Sequence, residues 1–296
     1  MSDFLKGYDI QYWLESAPQG YLEGTRYGHA PNQREPSVLA DDPVLRDQAI
    51  GLTVQLVVGE RCALAASSGL INAAPDEGSK RFLATQTLDE ARHVEVFTHR
   101  LMDLGVKGDA LEVVIRERAN PNLVKFAELL LDKVDRKDFV AGVVGQNVIL
   151  EGMAFHVFEM LHASNRELNP KFAHTLAGTI ADERRHVGFG ENRIGSLIRE
   201  HPERKADIER LQREMSYWML ATFGSQIRQG PGPEEMQQRL AARGVASSER
   251  GAAWQGVQLG EATTEELESA LGGTILKEFK VRLERIGIDY QSPAQP

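Results

Sequence analysis

The chain has 296 residues, 42% hydrophobic and 26% charged, a globular balance with length for one large or two modest domains. A formal net charge of −9 argues against a nucleic-acid role, and a single cysteine, Cys62, excludes an internal disulfide and fits a reducing compartment. No apolar run approaches the roughly 18 residues of a membrane helix, and the start MSDFLKGYDI lacks the pattern of a signal peptide, so the expected location is cytoplasmic.

In chain order, residues 1–41 are rich in Gly, Pro and Tyr without periodicity and read as a surface-wrapping arm. Asp42-Pro43 is an N-cap followed by proline at the first helical position, and the pattern behind it predicts a helix to about Asn72. Asp76 begins the next, which ends near Gly105. Asn120-Pro121 repeats the start signal for a helix to about Val134, and Asp135 is expected to cap a stretch running to about Ser164. Asn169-Pro170 opens another helix, and Pro202 restarts the chain before one reaching Phe223. The GPGP at 230–233 breaks the chain, and 245–262 reads as loop. Thr263-x-x-Glu266 is a capping box for a last helix with Ile275, Phe279, Leu283 and Ile286 on one stripe. No segment alternates as a strand would. The predicted fold is all-α: an arm (1–41), a helical bundle (42–228) and an extension (229–296), either packed on the bundle or acting as a lid.

One string occurs twice, as Asp89-Glu90-Ala91-Arg92-His93 and as Asp182-Glu183-Arg184-Arg185-His186. Glu-x-x-His places a carboxylate and an imidazole one turn apart on one helix face, where both can bind one metal ion. Alone the spacing is weak, because Glu159-x-x-His162 shows it too. The companions decide. Glu60 precedes Glu90, and Glu151 precedes Glu183, each with a turn signal midway. In an antiparallel hairpin, residues equidistant from the turn come level. Two such hairpins face to face bring Glu60, Glu90, His93, Glu151, Glu183 and His186 to one height. This is the ligand pattern of carboxylate-bridged di-metal bundles. Glu159 fails it, lying about 12 Å along the axis from Glu151.

Glu60 and Glu151 sit in otherwise apolar stretches, where an unneutralised carboxylate is costly. Asp89 and Asp182 are placed to accept the other ring N–H of the histidines, as outer partners of metal-bound imidazoles do. Arg92 and Arg185 form a further layer of ion pairs or are solvated. His99, His156, His162 and His174 read as ordinary helix residues, and Cys62 as a small core residue.

With Glu60 and Glu151 upstream, DEARH and DERRH resemble the ribonucleotide-reductase-small-subunit-like branch of the ferritin-like di-iron carboxylate superfamily, over roughly residues 43–225. That branch includes ligand-binding oxidases and bacterial di-iron monooxygenases. The resemblance implies a ferritin-like four-helix bundle with additional helices and a centre of two iron ions, or one manganese and one iron, that activates dioxygen. Departures narrow the choice. The radical tyrosine of reductase subunits is here Phe97. The valine and tyrosine that are crosslinked in ligand-binding oxidases are Ala63 and Gln146. The threonine of the monooxygenases is Phe155, and the extra histidine of arylamine oxygenases is Thr179.

The expected function is a dioxygen-activating oxidase or oxygenase acting on a small or medium, largely apolar substrate. The alternatives are a radical-supplying or electron-transfer subunit of a larger partner, and iron storage or peroxide removal. Expected partners are the small-molecule substrate, an external electron donor and a second copy in a homodimer, with no nucleic acid and no membrane. Residues one turn from the ligands are expected to enclose substrate: Ala63, Leu64, Gln86 and Phe97 from the first hairpin, Asn147, Phe155, Thr179 and Gly190 from the second. Gln86, Asn147 and Thr179 either orient a polar group of the substrate or hydrogen-bond within the core.

Overall fold

The structure is a computed structural model, and it describes residues 27–227 and 232–293. Its three longest helices each begin where an Asx-Pro or lone Asp signal ends the preceding loop. The Asp42 carboxylate accepts from the Val44 and Leu45 amides and starts α2 (Pro43–Ile71), after a short α1 (Ser37–Asp41). Asp76 caps α3 (Glu77–Asp103) by accepting from Ser79 N at 2.8 Å. Asn169 caps α8 (Pro170–Glu200) through Phe172 N at 3.2 Å. These caps supply acceptors for amides that the helix leaves without intrahelical partners.

Between these two hairpins lie α4 (Ala110–Arg118), α5 (Pro121–Asp135) and α6 (Phe139–Val143). A π-helical segment, Val144–Leu150, joins α6 to α7 (Glu151–Asn165). After α8 come α9 (Lys205–Ile227), α10 (Pro233–Ala242), a hairpin of β1 (Ala253–Trp254) and β2 (Val257–Gln258), and α11 (Thr264–Arg285). The Thr263 capping box is formed, with Thr263 N donating to Glu266 Oε2 at 2.9 Å. Ile275, Phe279, Leu283 and Ile286 are all buried, in one core cluster with residues of α2, α7 and α8.

The bundle is formed by α2 packed along α3 and α7 packed along α8, with α3 meeting α8 across the middle. α5 and α9 cover α2 and the π segment, and α11 lies over α7, α8 and α9. A second apolar cluster, with Val57, Phe97, Leu101, Phe158 and Phe172, fills the other side. The fold is all-α, apart from the two-residue strands.

Several details differ from the sequence reading. Asp135 does not cap the second hairpin; it is the last residue of α5. The chain leaves α5 through Lys137 in the left-handed region (φ 59), with Lys137 N on Val134 O and Asp138 N on Lys133 O. This is a Schellman ending, and Asp138 then caps α6 through Ala141 N at 3.0 Å. α4 and α10 carry no strong apolar stripe, each with one buried residue, Ile115 and Leu240, so periodicity did not announce them. The loop expected at 245–262 contains the hairpin, turned by Gln255 (φ 50) and Gly256 (φ 81), the two positive φ values of a type I′ turn. Residues 1–26 of the expected arm and the junction at 228–231 lie outside the described residues.

Two helical stretches, Pro43–Ile71 and Phe139–Asn165, are long and apolar enough to cross a membrane by composition. This corrects the expectation that none would be. Within Phe139–Asn165 the apolar window is 83% buried inside the molecule, and each stretch carries a buried carboxylate, Glu60 or Glu151. They are core helices of the bundle.

Candidate metal centre

The two hairpins bring six side chains to one level. Glu60 comes from α2, Glu90 and His93 from α3, Glu151 from the first turn of α7, and Glu183 and His186 from α8; all six are at least 95% buried. Their oxygen and Nδ1 atoms form two overlapping groups, Glu60–Glu90–His93–Glu183 and Glu90–Glu151–Glu183–His186, the atoms of each within 4.8 Å of one another. Glu90 and Glu183 are common to both. His93 Nδ1 lies 3.5 Å from Glu60, 3.3 Å from Glu90 and 3.3 Å from Glu183. His186 Nδ1 lies 3.2 Å from Glu90 and 3.5 Å from Glu183.

The far ring nitrogens face the aspartates of the opposite motif. His93 Nε2 is 3.1 Å from Asp182, and His186 Nε2 is 3.2 Å from Asp89. Each aspartate therefore aims an imidazole so that its Nδ1 points at the centre. Arg185 holds both, donating to Asp89 at 2.9 Å and Asp182 at 2.6 Å, and Arg92 pairs with Asp182. Both arginines are thus in the ion-pair layer.

Glu151 is held differently. Gln86 Nε2 donates to its Oε1 at 2.7 Å and Gln146 Nε2 to the same oxygen at 3.2 Å, while Asn147 Nδ2 donates to Oε2 at 2.9 Å. The π segment makes this possible. Glu151 N–H bonds to Gln146 O, five residues back, and the wider turn puts residues 146 and 147 both on the Glu151 face.

The electrostatics show what the site lacks. Burial pushes the Glu60 carboxyl up to about 8, against the pull of His93. Burial, with Glu183 beside it, also raises Glu151. Glu90 stays well below the usual carboxylate range, because His186 and His93 outweigh its burial. Both histidines are raised well above the imidazole range, the facing carboxylates overcoming a burial that disfavours charge. Without metal, this cluster of acids needs protons on its histidines to be tolerable.

The donor set fits two metal ions. Glu90 Oε2, Glu183 Oε2, His93 Nδ1 and His186 Nδ1 are all buried and form no hydrogen bond. Such atoms are costly unless something cationic binds them. Carboxylates and imidazoles together suit iron and manganese. Glu60 and His93 would hold one ion, Glu151 and His186 the other, with Glu90 and Glu183 shared.

A cavity of about 880 Å³ opens on this centre, floored by Glu60, Glu151 and Glu183. It runs between α2 and α7, with apolar walls such as Leu52, Leu56, Val157 and Phe158, under a roof from α9, α10 and α11 that includes Met219, Met236 and Leu271. Of the eight residues expected around substrate, Ala63 lines it; Leu64, Gln86, Phe97, Asn147, Phe155, Thr179 and Gly190 do not. The expectation treated all four helices alike, whereas the space lies between α2 and α7. Gln86 and Asn147 turn to Glu151. Phe97 stacks on Phe158 at 6.3 Å, and Phe155 lies under the guanidiniums of Arg184 and Arg282. Thr179 donates to Thr175 O, and Leu64 is half-buried. Gly190 makes room for Asn147: a Cβ there would fall 2.4 Å from the Asn147 Cβ.

The other histidines take no part in either metal-capable group. His156 Nδ1 pairs with Glu159 at 3.0 Å, His99 stacks on Tyr27 at 3.6 Å, and His174 meets Gln33. Sequence reasoning missed the roof of the cavity and the role of Gln146. The only signal for the latter was two adjacent amides, Gln146 and Asn147, inside an apolar run.

No protein-family model matches the chain, and a search of curated protein sequences finds no match. Solved structures do match. An R2-like ligand-binding oxidase with an aerobically reconstituted metal cofactor after photoconversion is 16% identical, with a TM-score of 0.68 over 88% of this chain and 86% of that one. The same kind of oxidase with an aerobically reconstituted Mn/Fe cofactor (long soak) is 16% identical, with a TM-score of 0.68 over 92% of this chain and 93% of that one. A tyrosine-to-phenylalanine mutant with the aerobically reconstituted Mn/Fe cofactor gives 0.69 at 16% identity, over 96% and 98%. The fold of this chain is therefore the ferritin-like helical fold of the R2-like ligand-binding oxidases, the branch its two motifs resemble.

Proposed function

We propose that this protein is a dioxygen-activating di-metal oxidase, with a di-iron or manganese/iron centre, acting on an organic substrate with an apolar body. The observation that carries the reading is a cavity floored by three of the ligand carboxylates, with the apolar side chains Leu52, Leu56, Val157 and Phe158 among its walls. When bound, the metal pair supplies the electron-transfer chemistry with dioxygen. The chain does the rest. Glu60, Glu90, His93, Glu151, Glu183 and His186 hold the metals, while Asp89 and Asp182 fix the tautomers and directions of the two imidazoles. Leu52, Leu56, Val157 and Phe158 keep water from the reacting end of the substrate and bind its apolar part. The likeness of fold to oxidases that carry Mn/Fe cofactors supports the metal part of the reading. An external electron donor completes the cycle.

The test is aerobic loading with iron(II), alone and with manganese(II), followed by elemental analysis and mass spectrometry of extracted small molecules. Two metals per chain and a bound apolar molecule are expected. Less than one metal per chain after iron-replete loading would falsify the reading.

A further inference from the structure

The cavity over the centre has three cations in its lining, Arg100, Arg118 and Arg250. Two of them are already neutralised. Arg100 Nε lies 3.5 Å from Glu35, and Arg118 pairs with Asp47 at 2.6 Å. Arg250 differs. Among the described residues it meets no carboxylate and donates no hydrogen bond, and its Nε is buried without a partner. The adjacent Glu249 turns back on its own loop, where its carboxylate accepts from Ala246 N at 3.1 Å.

Backbone contacts place Arg250 at the end of the cavity remote from the metal ligands. Ala252 N donates to Ala163 O at 3.3 Å, which holds this segment against the last turn of α7. Ala163 lies about 18 Å along the helix axis from Glu151, at 1.5 Å per residue. Other polar side chains lining that end are engaged. Asn165 Nδ2 donates to Leu161 O at 2.8 Å, Ser164 Oγ to the same oxygen at 3.0 Å, and Gln237 Nε2 to Leu259 O at 3.3 Å. Between the two ends the lining includes Leu52, Leu56, Val157, Phe158 and Leu161.

The lining is thus acidic at one end, apolar along its length, and carries an uncompensated cation at the other. A partly buried cation without a counter-ion is costly, and a guanidinium offers paired N–H donors that match carboxylate or phosphate oxygens. We infer that Arg250 binds an anionic group of the substrate at the end of the cavity remote from the metals. The substrate class is then an amphiphile with a carboxylate or phosphate head, and its apolar end, not its head, meets Glu60 and Glu151. Which end meets the metals rests on the di-metal reading above; the anion site at Arg250 does not.

The experiment titrates the metal-loaded, full-length protein by calorimetry with dodecanoate, dodecyl phosphate, dodecanol and dodecyltrimethylammonium, each below its micellar concentration. Arg250→Gln and Arg250→Lys are titrated in the same way. The wild-type protein is expected to prefer the two anions. Arg250→Gln should weaken them about tenfold or more and leave dodecanol unchanged, because a hydrogen bond to a charged group is lost. Arg250→Lys should restore part of the preference, and the anion that loses more in Arg250→Gln names the head group. A crystal structure with dodecyl phosphate should show its head on Arg250. Equal weakening of dodecanol, unchanged affinity for the anions, or a head group on the metals overturns the inference. Should the variants not fold, the wild-type structure with dodecyl phosphate alone decides. Failure of the wild-type protein to bind two ions sinks the di-metal reading, whereas two bound ions without a preference for anions sinks only this inference.

Discussion

The first and second hairpins carry nearly the same words and use them differently. Four residues after the motif histidine the first has Phe97 and the second Gly190. Four residues before the outer glutamate the first has Leu56 and the second Asn147. In the first hairpin, then, the positions flanking the ligands are apolar: Phe97 is fully buried, in one cluster with Leu56 and Phe158, which also line the cavity. In the second, an empty glycine position admits an asparagine, and a π turn adds a glutamine beside it. A repeated metal motif thus gives the same ligands without giving the same site. What sits one turn away decides how firmly each carboxylate is held.

The comparison breaks hardest at the ligands themselves. Glu90 and Glu183 belong to both metal-capable groups, Glu60 and Glu151 to one each. Glu90→Ala or Glu183→Ala should lose both ions, while Glu60→Ala or Glu151→Ala should lose one position, and Glu159→Ala none. Elemental analysis after iron loading checks it; equal loss in all four ligand variants would mean the two positions are not separable.

Phe97→Ala tests whether the first hairpin's flank is packing. Deleting a buried phenylalanine ring should cost about 3–5 kcal/mol of unfolding free energy, measured by denaturant titration, with two metals still bound when folded. Phenylalanine at this position also yields no tyrosyl radical there, so the oxidised protein should show no such EPR signal from it.

Glu60 gives a pH signature. Its carboxyl is raised from 4.5 to about 8 by burial. A raised carboxyl contributes stability that is present below about 4.5 and lost as pH rises through about 8, so the metal-free protein should weaken over that window. Metal binding has the opposite sign, because the ion displaces the proton. Affinity should fall about tenfold per pH unit and per displaced proton on acidifying below that value. Calorimetry in buffers of different ionisation heat measures the released protons, and a pH-independent affinity would contradict the burial argument.

In the second hairpin the corresponding change is an addition. Gly190→Ala sets a methyl 2.4 Å from the Asn147 Cβ. Overpacking of this kind costs about 1–3 kcal/mol, and it should loosen the Asn147 bond to Glu151 as well. A neutral effect on stability would show that the π segment yields easily. The smallest effect is expected at the approach to that hairpin, where Lys137 sits at φ 59. Lys137→Gly should stabilise the fold by about 1 kcal/mol, read as a slight rise of the thermal midpoint.

Much of this was legible in the chain. Asp42-Pro43 and Asn169-Pro170 mark helix starts because capping is local chemistry, decided by two or three adjacent residues. The grouping of the six ligands was legible for a related reason. Helical period and the symmetry of a hairpin about its turn convert sequence distance into height, so spacing alone levels Glu60 with Glu90 and Glu151 with Glu183. Arg185 bridging Asp89 and Asp182 was not readable, since each residue alone reads equally well as a surface charge.

What only the tertiary structure decided is where the space lies and how Glu151 is held. The cavity exists between α2 and α7 because α9, α10 and α11 roof it, and contacts among elements up to two hundred residues apart leave no local pattern in the sequence. The π segment is equally silent, because its extra residue per turn is stabilised by packing against α8 and α9 and by the amides it delivers to Glu151. Periodicity assumes a constant 3.6 residues per turn, and it misplaces the residues of a helix wherever tertiary contacts change that number.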